Sequence, residues 1–275
     1  MASGTVALER REKEHLKEHP PLSPQTSISL PNVTYVDISS RAEDIQAGLV
    51  DTFLNLEKID KNLFLARHLL KGRNSLPVVY GGQVIGQALS AATATVGNGF
   101  LPNSLHSYFV QGGDVNMPIL YMVDRIRDGK SFCTRLVKAV QSGDAIFTVQ
   151  ISFHRPEPDS IKHQVEMPKV AGPDGLMDWN QLMEHASKVI LFRKGFIPSM
   201  ALTLDHSIWM HNDKFRVDDW LLYENHSTIA SGARTLIEGK LWTRDGRLVF
   251  STAQEALIRA PKTEKLSENG TNGTK

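Results

Sequence analysis

The chain reads as an α+β protein: two antiparallel sheets, each wrapping one helix, with the second unit shorter than the first. Three observations predict this. A His-Ser pair recurs 100 residues apart, in Leu105-His106-Ser107-Tyr108-Phe109 and Asp205-His206-Ser207-Ile208-Trp209. Echoes follow it, Leu120-Tyr121 by Leu222-Tyr223 and Gln150 with Arg155 by Gln254 with Arg259. Within each copy, strands of period two lead to a Gly-Asp or Asp-Gly turn (Gly143-Asp144, Asp245-Gly246) and a long last strand. Such a repeat is too long for a solenoid unit and marks a duplicated domain. Where the halves of a duplication have diverged, the chemistry is expected in one of them.

Residues 1–45 are charged and then proline-rich, with Pro20, Pro21, Pro24 and Pro31. They bury too little apolar surface to offset chain entropy and are expected to be disordered. The first module spans 46–156. Gly81-Gly82 opens a helix in which Val84, Ile85, Ala88, Leu89, Ala92 and Val96 recur at helical spacing. Small residues elsewhere on it (Gly86, Ser90, Ala91) let a sheet close tightly. Strands follow at 103–111, 118–126, 131–141 and 145–155. In the last, Phe147, Val149, Ile151 and Phe153 alternate with Thr148, Gln150 and Ser152, the pattern of a half-buried strand. Pro156 and Pro158 end the module. A linker over 157–199 holds a helix at about 174–194, with Leu176, Trp179, Leu182, Met183, Ala186 and Ile190 on one side. The second module, 200–260, repeats the strands at 200–211, 219–227, 230–243 and 247–259. Residues 261–275 form a second loose tail.

Composition narrows the function. The 275 residues carry a net charge of +1 with signs well mixed, which gives no electrostatic footprint for nucleic acid or a membrane surface. The charge-poor stretch from Arg73 to Asp114 makes a poor membrane span, because Gln83, Gln87, Thr93, Thr95 and several glycines interrupt it. The single cysteine, Cys133, excludes a disulfide framework and reads as a small buried hydrophobe of a strand.

The segment Tyr80-Gly81-Gly82-Gln83-Val84-Ile85-Gly86-Gln87-Ala88-Leu89 resembles the first central helix of the type II (TesB-like) acyl-CoA thioesterases. Leu204-Asp205-His206-Ser207-Ile208-Trp209-Met210-His211, and Asp245-Gly246 through Gln254-Glu255, resemble their second half. The similarity covers roughly 48–260 and is strongest to the eukaryotic peroxisomal branch. It implies a double hotdog fold that hydrolyses fatty acyl-CoA to fatty acid and free CoA. No resident cofactor is implied, CoA entering as part of the substrate, and no metal.

In that family the resemblance implies a trio of Asp, Thr or Ser, and Gln that orients a water. Two members carry over to Thr203 and Gln254. The chemistry suits them: a thioester is already activated, so orienting and polarising one water suffices without a protein nucleophile. Threonine offers a donor and two acceptor positions, glutamine an acceptor and two donors. Asp205, His206 and Ser207 imitate a hydrolase triad, but on a strand His206 points away from the other two, and no Gly-x-Ser-x-Gly elbow is present. His206 and His211 lack a metal-binding spacing. Arg125, Arg127, Lys130 and Arg135 are candidates for CoA phosphates or for a solvated face.

The third member, an Asp of the second central helix, finds no matching motif. Only 43 residues separate Pro156 from Met200, too few for a linker, an opening strand and a helix. A segment with that helix is read as absent. Either the 174–194 helix supplies a substitute carboxylate from Asp178 or Glu184, or activity is reduced or lost. The alternative is a non-catalytic acyl-CoA-binding or assembly protein on the same scaffold. A dehydratase-type hotdog enzyme is weaker, having no catalytic histidine on the central helix. The expected assembly is a homo-oligomer or a pair with a full-length relative. Resemblance places the protein in the peroxisome. The chain ends Gly273-Thr274-Lys275 rather than in a Ser-Lys-Leu-like address, which leaves the cytosol as the alternative.

Overall fold

The computed structural model describes residues 53–73, 76–177 and 199–260. Four short strands come first: β1 (Glu57–Asp60), β2 (Leu63–Ala66), β3 (Lys71–Arg73) and β4 (Leu76–Val79). Sequence reading missed them, since strands of three or four residues show too few alternations to register a period. Helix α1 (Gly81–Thr93) follows, then β5 (Leu101–Phe109), β6 (Ile119–Asp128), β7 (Phe132–Gln141) and β8 (Asp144–His154). The second half holds β9 (Met200–Thr203), β10 (Asp205–Met210), β11 (Leu221–Ser231), β12 (Arg234–Thr243) and β13 (Leu248–Arg259).

The two expected sheets are one. Eleven strands run β1-β2-β6-β7-β8-β5-β10-β13-β12-β11, with β9 also on β13, and β3 and β4 form a separate pair. The seam between halves is the antiparallel pair β5–β10, whose register sets His106 opposite Ser207 and Ser107 opposite His206. The two copies of the repeated motif therefore meet each other.

Helix α1 lies on one face of the first half. Its buried positions are Gln83, Val84, Gln87, Ala88, Ala91 and Ala92, while Ile85 and Leu89 flank the core. The three alanines are fully buried, which lets the helix sit close to Val137, Ala139, Val149 and Ile151. Two glutamines inside need partners, and they have them. Gln83 accepts from the Leu70 amide at 2.7 Å and donates to the His68 carbonyl at 2.9 Å. Gln87 donates to the Phe53 carbonyl at 3.0 Å and accepts from the Tyr121 hydroxyl at 2.8 Å. Burial pushes the Tyr121 phenol well above its ordinary value, so it stays a donor.

Several boundaries differ from expectation. The first-half turn is Ser142-Gly143, both with positive φ, and Asp144 already belongs to β8. Residues 228–229 are not a break: β11 continues through a bulge there, and the reversal comes at Gly232-Ala233, with φ of 58° and 59°. Thr228 and Ile229, β-branched, resist the left-handed region that this turn requires. The expected strand 200–211 is split at Leu204 into β9 and β10. The helix expected from 174 does not begin there, since Pro173–Gly175 bends and turns, with Gly175 at φ 87°. The rest of that helix, with Asp178 and Glu184, lies outside the described residues, as do the terminal segments 1–45 and 261–275.

Candidate active site

Thr203 ends β9, His206 lies on β10 and Gln254 on β13. The Gln254 Nε2 donates to Thr203 Oγ1 at 2.9 Å, and Gln254 Oε1 lies 3.1 Å from Nδ1 of His206. The sequence pair is thus brought together, and a third polar side chain joins it, which the sequence excluded only as a triad member and as a metal ligand. All three are half-buried. Burial lowers the His206 imidazole below its ordinary value, opposed by the Gln254 hydrogen bond and by Asp205. The ring is neutral near pH 7 and carries one proton. An amide oxygen can only accept, so the contact is a hydrogen bond when that proton is on Nδ1.

The split after Thr203 positions these groups. Across it the ladder to β13 slips from Thr203 opposite Ala256 to Ser207 opposite Ala253. The Asp205 carboxylate bridges the irregularity by accepting the Glu255 amide at 2.6 Å. Asp205 and Ser207 point away from His206, as expected of a strand. No triad forms. Ser207 Oγ instead meets Nδ1 of His106 at 3.0 Å on the other side of the sheet.

The first half has no counterpart of the trio, although its sequence echoes it. Ser107 and His206 are cross-strand partners and share a face, the one that carries α1. His106 is one residue along and faces the other way, together with its own partner Gln150. On the helix-bearing face the first half presents Leu105 opposite Ile151, both fully buried and apolar. Parity separates the halves: the letters repeat, but the side-chain directions do not. The repeat in the sequence sets Gln150 beside Gln254. Asn103 sits at a bulge of β5 with its Oδ1 buried and unpartnered.

Thr203 also lines a cleft of about 570 Å³, mostly apolar, with Val78, Val84, Phe109, Ile146 and Leu202 among its walls. Gly81, at the start of α1, closes one side, where a larger residue would have to displace the Phe109 ring. The cleft was not legible in the sequence, because its walls come from β4, α1, β5, β8 and β9 together. Of the candidate phosphate ligands, Arg135 is only 1% exposed and donates to Thr95, Arg127, Thr134 and Asp128. It is a structural residue. Arg125 donates to Asn62 at 2.9 Å. A polar concavity of about 470 Å³ lies instead by Lys214, Arg216, Arg244 and Arg247, where Asp218 and Asp245 already engage Arg216 and Arg247.

Among the described residues no helix is long and apolar enough to cross a membrane. The chain matches the acyl-CoA thioesterase N-terminal domain over residues 71–154 and the C-terminal domain over 140–258. It is 33% identical to human acyl-coenzyme A thioesterase 8 over 292 aligned positions, with 78% of this chain and 90% of the relative covered. That alignment is longer than the chain, so within the matched range the relative carries residues with no counterpart here. A Saccharomyces cerevisiae protein described as peroxisomal acyl-coenzyme A thioester hydrolase 1 is 33% identical over 126 positions, covering 45% of this chain and 36% of the relative. The crystal structure of the acyl-CoA thioesterase II TesB2 from Mycobacterium marinum is 29% identical. It covers 77% of this chain and 98% of its own, with a TM-score of 0.65. With both domains matched in order and the hotdog architecture shared, the chain belongs to the type II, TesB-like acyl-CoA thioesterase family.

Proposed function

We propose that this chain hydrolyses fatty acyl-CoA by direct attack of water, with Thr203 and Gln254 as the polar groups at the thioester. The reaction adds water across the acyl–sulfur bond. Hydroxide character goes to the acyl carbon, the C–S bond breaks, and the thiolate leaves with the remaining proton as free CoA. The observation that carries the reading is the Gln254 Nε2–H···Oγ1 Thr203 bond beside an apolar cleft. Because Thr203 accepts from Gln254, its own proton is free to meet an oxygen in the cleft. A donor of that kind stabilises the oxyanion of a tetrahedral intermediate, worth about a hundredfold in rate for one good hydrogen bond. The cleft volume falls within the usual range for a small-molecule site of roughly 300–1,000 Å³ and suits an acyl chain.

The rate is expected to be lower than that of relatives retaining the family's helix-borne carboxylate. Release of free thiol from long-chain acyl-CoA tests the reading, in wild type and in Gln254→Ala and Thr203→Ala. A fall of about a hundredfold in kcat for each supports it. Equal rates remove both residues from the chemistry, and acyl-CoA binding without hydrolysis points to a binding protein. The likeness to a yeast protein described as peroxisomal supports the peroxisome as the compartment. A tagged chain expressed without relatives tests that, and a purely cytosolic signal overturns it.

A further inference from the structure

We propose that His206 is the positioning residue that decides which way the Gln254 amide points, and so whether Thr203 presents a donor or only lone pairs. This rests on the Thr203/Gln254 reading above. A primary amide fits its site in two orientations of the same shape that differ in which end donates. Here Oε1 faces His206 Nδ1 at 3.1 Å and Nε2 faces Thr203 Oγ1 at 2.9 Å. An imidazole with hydrogen on Nδ1 accepts only this orientation. Gln254 then spends a donor on Thr203, and the threonine proton is left for the substrate. A bare Nδ1 selects the reverse: the amide turns its NH2 to the ring, its oxygen takes the threonine proton, and Thr203 can only accept. The polarity of the hydroxyl is thus set two residues back from the cleft, which Thr203 lines and neither Gln254 nor His206 does.

The surroundings hold the ring for this task. The His206 carbonyl accepts the Ser107 hydroxyl at 2.7 Å across the seam, which anchors the backbone under the ring. The carboxylate that acts on the ring, that of Asp205, points to the opposite side and is engaged by the Glu255 amide. It does not compete for Nδ1. Burial keeps the imidazole neutral, so one tautomer must be chosen, and Gln254 Oε1 is the group that faces Nδ1. Where the first half sets Leu105 against Ile151 on this face, neither partner is an amide or an imidazole.

The test reads the tautomer and the rate separately. In 15N-labelled protein above about pH 7.5, where an ordinary imidazole is neutral, long-range proton–nitrogen correlation is expected to show His206 protonated on Nδ1, with the preference lost in Gln254→Ala. A ring protonated on Nε2 in wild type overturns the proposal. His206→Leu, which removes the donor, is expected to lower kcat about ten- to a hundredfold with KM unchanged. His206→Asn keeps an N–H near the Nδ1 position and should stay within a few-fold of wild type. Equal losses in two folded variants would make the residue merely structural. In a Gln254→Ala background His206→Leu should add nothing, and a full further loss overturns the coupling. If the wild type hydrolyses no acyl-CoA, the functional reading fails while the tautomer measurement still decides the His206–Gln254 arrangement.

Discussion

The Ser107 hydroxyl donates to the main-chain carbonyl of its cross-strand partner His206 at 2.7 Å, so a side chain of the first half ties down the strand bearing the second half's polar trio. Ser107 is 6% exposed, and water cannot readily replace it there. Ser107→Ala is expected to cost about 1 kcal/mol, read as a lower midpoint in urea at unchanged m-value. The kcat should fall less than in His206→Leu, since the ring and its amide remain. An unchanged midpoint would show that this bond does not brace the seam.

The His206 imidazole titrates below the ordinary histidine value near 6.5, because burial penalises its charged form more than Gln254 and Asp205 favour it. Above about pH 6.5 both folded and unfolded states hold the neutral ring, and no stability is lost. As pH falls below that, the unfolded chain binds the proton first, and stability drops until the folded ring also protonates. A histidine NMR titration with a midpoint at or above 6.5 contradicts this. His206→Asn should flatten that part of the stability profile.

A Cβ built on Gly81 comes 2.9 Å from Cε1 of Phe109, whose ring packs on Phe147 at 5.1 Å between centroids. Phe109 also lines the cleft, so a displaced ring alters the cleft wall. Gly81→Ala should therefore cost about 1–3 kcal/mol of overpacking and raise KM for long acyl chains several-fold over that for short ones. A chain-length profile identical to wild type would show that the acyl group lies elsewhere.

Arg135 holds the end of the helix to the sheet, donating to Thr95 Oγ1 at 2.8 Å, to the Thr95 carbonyl at 3.1 Å and to the Arg127 carbonyl at 2.9 Å. Arg135→Met keeps much of the volume and strands these acceptors. The expected loss is about 2–4 kcal/mol, measured by chemical denaturation. A loss below about 1 kcal/mol would mean that water reaches these groups.

The sequence was most legible where its pattern is longest. β7 and β8 alternate over most of their length, and their ends, like those of β13, differ from expectation by one residue at most. The turn at Gly232-Ala233 escaped because alanine is an unusual choice for positive φ, and a bulge disguised the alternation before it. Of the candidate site, Thr203 and Gln254 were named by resemblance, and the structure sets them in hydrogen-bond contact. His206 was not, since its partner lies 48 residues away on a strand whose register only pairing reveals. The misleading clue was the repeat itself. His106 and His206 match as letters, yet they stand on opposite sides of one sheet.

That opposition limits how the duplicated chain can change. In β5 and β10 a one-residue insertion or deletion turns every later side chain over. It would carry His206 from the helix-bearing side to the outer one and bring a neighbour such as Ser207 inward. Losing or gaining two residues preserves direction but breaks the meeting of Ser107 with His206. Length variation is therefore tolerated in the connections, and the seam is left able to change only by substitution. Lineages carrying this chain are expected to differ in the span between Pro156 and Met200 while keeping the lengths of the two central strands constant.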